Sequence, residues 1–233
     1  MNKNEFITAV NELNIPINPD ILKKLDNYYH LLYNENKKYN LTAITNEIDV
    51  YLKHFYDSLT IVKSYNLTNQ YLLDIGTGAG FPGIVLKIFF PELKIDLLEA
   101  TTKKCQFLNL VINTLNLENI QVINTRAEEY AKKNREKYDL VTSRAVAPLK
   151  HLLEYSIPTL KVGGTFIALK ANLNNETQNI SHYHQKLNLA NEQIIEFYLP
   201  IENSHRSIYK IQKTAPTPTI YPRTYSQIKN KEL

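Results

Sequence analysis

An α/β fold, with a mostly parallel sheet carrying helices on both faces behind an N-terminal helical extension, is predicted by three features of this 233-residue sequence. From residue 71 onward, short apolar runs alternate with amphipathic stretches. Three segments of helical period precede the first of those runs. Four of only six glycines crowd into the eight positions 76–83, between the first run and the stretch that follows it. Average usage would place about sixteen glycines in such a chain. Strands and helices alternating at this spacing form right-handed βαβ units around a parallel sheet.

The N-terminal helices are expected over residues 3–13, 19–36 and 46–63. The second follows Asn18-Pro19, a cap and a proline at the first helical position. Its apolar residues Ile21, Leu22, Leu25, Tyr28, Tyr29, Leu32 and Tyr33 keep a 3.6-residue period, which buries one face. Strands are expected at Tyr71–Ile75, Lys94–Glu99, Ile120–Asn124, Tyr138–Ser143 and Thr165–Lys170. Helices between them are expected at Ile84–Phe90, Lys103–Leu115, Ala127–Lys133 and Leu149–Leu160, the last interrupted by Pro158. After a polar segment, 171–191, the runs Ile194–Leu199 and Ser207–Gln212 read as an antiparallel closing pair. Pro216, Pro218 and Pro222 suggest an extended end. The expected organisation is a helical subdomain over 1–66, an α/β domain over 67–213, and a basic extended tail over 214–233.

Composition excludes several classes. A 43% hydrophobic content argues for a packed core and against disorder. One cysteine, Cys105, rules out a disulfide framework and a cysteine-based zinc cluster. His182 and His184 lie in the polar segment without further ligands, so no metal site is expected. The first residues lack an apolar secretory core, and no apolar run approaches a membrane span. A cytoplasmic monomer without membrane contact is the expectation. The net charge is +4. Residues 203–233 hold six Lys/Arg and one Glu, while the remainder holds 21 basic and 22 acidic groups. The basic excess is therefore C-terminal, which suits a polyanion.

The glycine window runs from Asp74 to Gly83. A glycine-rich turn between strand and helix brings backbone close to a ligand at the carboxyl edge of the sheet. Gly78–Gly83 fits a dinucleotide pattern, but Gly76, not Gly78, follows the strand directly. Asp74 sets a carboxylate where a pyrophosphate would be repelled. A cationic ligand without phosphates fits better, and S-adenosylmethionine has that character. Glu99 ends the next strand, where an acid accepts ribose hydroxyls. Ala127 and Glu128 follow the third strand, where adenine would lie. His54 and Asp57 stand three apart on a helix and are able to interact.

With these residues in view, the chain resembles the RsmG family, also called glucose-inhibited division protein B, the bacterial 16S rRNA (guanine(527)-N7)-methyltransferases. The likeness spans roughly residues 5–213. It rests on Tyr39-Asn40-Leu41-Thr42, His54 with Asp57-Ser58, and the window Asp74–Gly83. It continues through Lys103-Lys104 with Phe107-Leu108, Leu117–Ile120, Arg126–Glu129, Ser143–Ala145 and Ala168–Lys170. The resemblance implies a class I S-adenosylmethionine-dependent methyltransferase fold, Rossmann-like, with seven strands. It implies donor contacts at Gly76, Phe81, Ala127, Glu128 and Arg144, with Glu99 on the ribose; Asp74, Gly78 and Gly80 complete the expected cofactor site. It implies RNA contacts at Arg126, Arg144, Lys170 and Arg206. Lys210 and Arg223 add expected phosphate contacts, and Tyr221 and Tyr225 are expected to stack on bases. The partner would be 16S rRNA or the small ribosomal subunit. Two departures stand out: Ala171 follows Lys170 where many members have Gly, and no Gly-x-Pro-x-Lys run follows Arg223.

Guanine N7 has a lone pair and no proton, so its methylation needs no general base, and Arg144 is expected to orient rather than transfer protons. Three other functions fit the residues less well. A basic tail disfavours a methyltransferase for proteins or small molecules. Asp74 and the glycine register disfavour an NAD-dependent oxidoreductase. An intact loop with Glu99 disfavours a non-enzymatic RNA-binding module.

Overall fold

The computed structural model describes residues 1–144 and 146–233. Helices α1 (Lys3–Glu12) and α2 (Pro19–Tyr39) open the chain. The Asn18 side chain accepts the Ile21 amide at 2.9 Å, which caps α2 as its sequence suggests. The third expected helix is not uniform. It runs from α3 (Glu47–Val50) through a π-helical stretch, Tyr51–Tyr56, into α4 (Asp57–Leu59) and a 3-10 turn, Thr60–Lys63. A π stretch shifts the phase of the side chains beyond it, and such stretches gather at functional sites.

Seven strands follow: β1 (Tyr71–Ile75), β2 (Lys94–Glu99), β3 (Ile120–Asn124), β4 (Tyr138–Arg144), β5 (Leu160–Lys170), β6 (Leu189–Tyr198) and β7 (His205–Lys213). They form one sheet in the order β3-β2-β1-β4-β5-β7-β6. The first five are parallel, and β7 runs antiparallel to both β5 and β6. The connecting helices are α5 (Gly83–Phe89), α6 (Thr102–Thr114), α7 (Ala127–Lys133), α8 (Leu149–Ser156) and α9 (Ile180–Leu187), and α10 (Tyr225–Asn230) ends the fold. Adjacent strand residues face opposite cores. Leu72, Ile95 and Leu97 join the side that holds α1, α2, α5 and α6. Leu73, Leu98 and Val141 join the side that holds α8 and α9. Residues 1–66 thus share a core with the sheet, through Phe6, Leu25, Tyr28 and Phe55.

Three segments depart from the sequence reading. β5 starts at Leu160, where a helix was expected, because the pairing with β4 jumps from Tyr138–Leu160 to Leu140–Thr165. Gly163 and Gly164 sit inside that irregularity rather than before the strand. The polar segment 171–191 contains α9, whose buried Ile180, Tyr183 and Leu187 keep helical spacing among polar neighbours. The tail is not a free extended arm. Thr217, Tyr221 and Ile228 are buried, and Arg135 donates to the carbonyls of Thr217 and Tyr221. These anchors lie about eighty residues away in sequence, beyond the reach of any local pattern.

Candidate active site

Strand order reverses at β1, whose neighbours β2 and β4 each lead away from it. The crevice outside the carboxyl ends at such a point is the expected ligand site. A cavity of about 960 Å³ opens there, and the loop from Ile75 to Ala79 forms its floor. Gly76 has φ +66°, and a Cβ on it would lie 2.6 Å from the Val146 side chain. Gly78 has φ +63°, and a Cβ on it would meet only the Gly76 carbonyl oxygen, at 3.9 Å. Both positions therefore favour glycine, and only at Gly78 would a side chain enter the cavity. The Gly76 amide donates to the Leu98 carbonyl at 2.8 Å, which ties the loop to β2.

The acid expected on the ribose closes the same loop. Glu99, 7% exposed, accepts the Gly78 amide at 3.1 Å and the Thr101 amide at 2.8 Å. Its carboxylate keeps lone pairs for a ligand. Further along, Ala127 and Glu128 line the cavity beside Tyr155. Glu128 is buried and accepts from Arg126 Nε at 2.5 Å.

The opposite end of the cavity is built by side chains. Arg144 lies over the Phe81 ring, 5.2 Å from its centroid. Its guanidinium donates to the Lys53 carbonyl at 2.8 Å, to Asp57 at 3.2 Å and to His54 Nδ1 at 3.0 Å. Arg206 Nε donates to the other Asp57 oxygen at 3.0 Å. Two guanidinium groups therefore share one carboxylate, leaving local positive charge. His54 stacks on Phe81 at 4.3 Å, and its Nε2 lies 3.0 Å from the Thr42 hydroxyl. Burial, and then the Arg144 charge, push the His54 pKa down to about 3. The imidazole is neutral, and its Nδ1 lone pair accepts from Arg144.

Two expected site residues, Asp74 and Gly80, do not line this cavity. Asp74 is fully buried and turned into the loop, where Oδ2 accepts the Thr77 hydroxyl at 2.6 Å and the Gly83 amide at 2.9 Å. Burial pushes its pKa up to about 6, partly offset by those two donors. Gly80 sits behind the loop, where a Cβ would meet Tyr28 Oη at 2.5 Å. The Tyr28 hydroxyl itself donates to the Ala79 carbonyl, so α2 braces the loop. His54 and Asp57 do not bond each other but converge on Arg144, since the π stretch changes their phase.

The expected RNA cations are largely paired within the fold. Lys170 bonds the Ala147 carbonyl at 2.6 Å and Glu176 at 2.8 Å. Lys210 donates to the Ser64 carbonyl at 3.0 Å. Arg223 grips Glu154 through three hydrogen bonds of 2.8–2.9 Å. Lys213 is fully buried against Glu136 and the Leu160 carbonyl. Among the described residues, only Lys229 and Lys231 of the six C-terminal cations lack such a partner. Tyr221 is buried and offers no stacking face. Sequence reasoning gave no role to Tyr28 beyond packing, and none to Tyr155, which lines the cavity.

A sheet of this order with its cavity at the β1 switch point is the class I methyltransferase fold. Solved structures agree. Precorrin-6y C5,15-methyltransferase from Geobacter metallireducens aligns at TM-score 0.52 and 15% identity, over 68% of this chain and 87% of that one. Phosphoethanolamine N-methyltransferase 2 from Haemonchus contortus, solved with S-adenosylhomocysteine, aligns at TM-score 0.57 and 12% identity, over 81% of this chain and 60% of that one. The family described as GidB, rRNA small subunit methyltransferase G, matches residues 21–206. Ribosomal RNA small subunit methyltransferase G of Mesoplasma florum is 47% identical over 212 residues, covering 90% of this chain and 88% of that protein. The protein of that name from Caldanaerobacter subterraneus subsp. tengcongensis is 42% identical over 231 residues, covering 98% and 97%. The chain belongs to the rRNA small subunit methyltransferase G family.

Proposed function

We propose that this protein methylates N7 of a guanine in 16S rRNA, guanine 527 in the family's numbering of that RNA, with S-adenosylmethionine as donor. The observation that carries the proposal is one continuous cavity with a glycine-loop end and a cationic end. The loop end suits the donor. Close backbone at Gly76 and Gly78, carboxylates at Glu99 and Glu128, and the apolar Ala127 fit an adenosine-bearing cation. The donor supplies an electrophilic methyl group on a sulfonium.

The chain's own residues then have three tasks. Glu99 accepts ribose hydroxyls while its bonds to Gly78 and Thr101 fix the loop. Phe81, stacked under His54 and Arg144, forms the partition between the two ends. Arg144 and Arg206, tied to Asp57, hold the positive lining that draws in an RNA segment. Guanine N7 would attack the methyl carbon through its in-plane lone pair as the methyl–sulfur bond breaks; the bonding pair returns to sulfur, S-adenosylhomocysteine leaves, the positive charge passes to the guanine, and no proton has to leave. The engaged Nδ1 of His54 accords with a reaction that needs no base. Catalysis rests on in-line placement and exclusion of water. The target guanine must be presented in a loop, because helical RNA hides its major-groove edge.

The test is to express the chain in a strain lacking this modification and to cleave the extracted 16S rRNA chemically at N7-methylguanine. Strand scission at the target guanine is expected. Unmodified RNA alongside folded, expressed protein would overturn the assignment.

A further inference from the structure

The C-terminal segment is clamped far more firmly than a solvated RNA arm requires. Glu154 has no solvent exposure, and Arg223 satisfies it from the backbone amide, Nε and Nη2. On the far side of α10, Glu232 pairs with Lys150 at 2.6 Å and the Leu233 amide reaches the Tyr183 hydroxyl at 3.3 Å. Ile228 is buried beneath the helix. Between these anchors, Tyr225 and Lys229 line the same cavity as the glycine loop.

Their place in that cavity follows from the sheet. Gly76 directly follows β1, and Glu99 ends β2 opposite Asn124 of β3. A donor laid outward across the strand ends, with its ribose at Glu99, has its adenine beside residues 125–128. Tyr225 stands there: its ring centroid is 4.3 Å from the Arg126 guanidinium carbon, and Arg126 in turn bonds Glu128. The guanidinium is held between an aromatic face from the last helix and the carboxylate at the start of α7.

Resting on the reading that the cavity takes S-adenosylmethionine, we propose that α10 is a wall of the donor site, with Tyr225 closing its adenosine end and positioning Glu128 through Arg126. The tail thus serves donor binding rather than acting as an RNA arm. Tyr225 is 46% exposed, as a residue covering an open mouth should be.

Calorimetry with S-adenosylhomocysteine and with adenosine tests this on the full chain, Tyr225→Ala, Tyr225→Phe and a chain ending at Arg223. The shortened chain keeps the Glu154 clamp. Loss of roughly tenfold in affinity for both ligands is expected in Tyr225→Ala and in the shortened chain. Tyr225→Phe, which keeps the ring, should restore most of it. Affinities within twofold of the parent for Tyr225→Ala, in protein whose thermal melt is intact, would overturn the proposal. If the parent chain binds neither ligand, the donor reading itself falls, and the two failures are distinct.

Discussion

At the glycine-loop end of the cavity, the walls are backbone from residues 76–79 and two acids, Glu99 at the end of β2 and Glu128 at the start of α7. At the cationic end, they are side chains drawn from β4, β7 and the α3–α4 segment, and Arg206 and Asp57 meet across 149 positions. The first end depends on local conformation, the second on charges that balance only when the fold is complete. Substitutions should therefore separate them: changes in the loop should strike ligand affinity, and changes in the cluster should strike stability and RNA methylation.

The largest separation is expected from Gly78→Asp. The new side chain enters the cavity beside Glu99, so donor affinity by calorimetry should fall at least about a hundredfold, or ~2.8 kcal/mol. Urea unfolding should show a cost of only about 1 kcal/mol, because Asp tolerates the left-handed backbone better than most residues. Near-normal affinity would remove the loop from the donor site.

Asp57→Ala should show the opposite. It leaves Arg144 and Arg206, each largely buried, without their shared carboxylate. A loss of about 3 kcal/mol in urea unfolding is expected, with reduced rRNA methylation and donor affinity within a few-fold of the parent. A large loss of donor affinity in folded protein would show that the two ends are coupled.

Asp74 sharpens the contrast through pH. Its folded pKa, raised by burial to about 6, lies above the ordinary 3.8. The folded state thus holds this proton more tightly than the unfolded chain does. Stability from this group is full below about pH 4 and is lost as pH rises through 6, a change on the order of 3 kcal/mol. Unfolding of the parent and of Asp74→Asn compared from pH 4 to 7 should show that difference converge on a plateau above pH 6. A pH-independent difference would contradict it.

The smallest effect is expected from Thr42→Val, which removes the hydroxyl beside His54 Nε2. About 1 kcal/mol of stability should be lost, with methylation reduced less than tenfold and donor binding unchanged. Unaltered methylation would confine Thr42 to packing.

The same contrast explains what was legible beforehand. The loop could be read because four glycines, an Asp and a strand end lie within ten residues, and Glu99 because strand ends are marked by apolar runs. Asp74 turns inward, bonded to Gly83 and Thr77; a sequence shows that a carboxylate is near a loop but not which way it turns. The pairing of the C-terminal cations is invisible in the sequence because their partners, Glu136, Glu154 and Asp57, are separated from them by many elements. α9 was passed over although Ile180, Tyr183 and Leu187 carried its period, since polar neighbours diluted the signal.

By itself, the sequence determined the alternation of strands and helices, the position of the glycine loop, the acid that ends β2 and the acid that follows β3 at the start of α7. These follow from hydrophobic period and backbone geometry, which act over a few residues. Tertiary structure alone decided that Arg144 and Arg206 share Asp57, that His54 is neutral on Phe81, and that the tail packs against Glu154 instead of reaching into solvent. Those outcomes depend on which charges are buried together, because a buried ion must find its partner wherever the fold brings one.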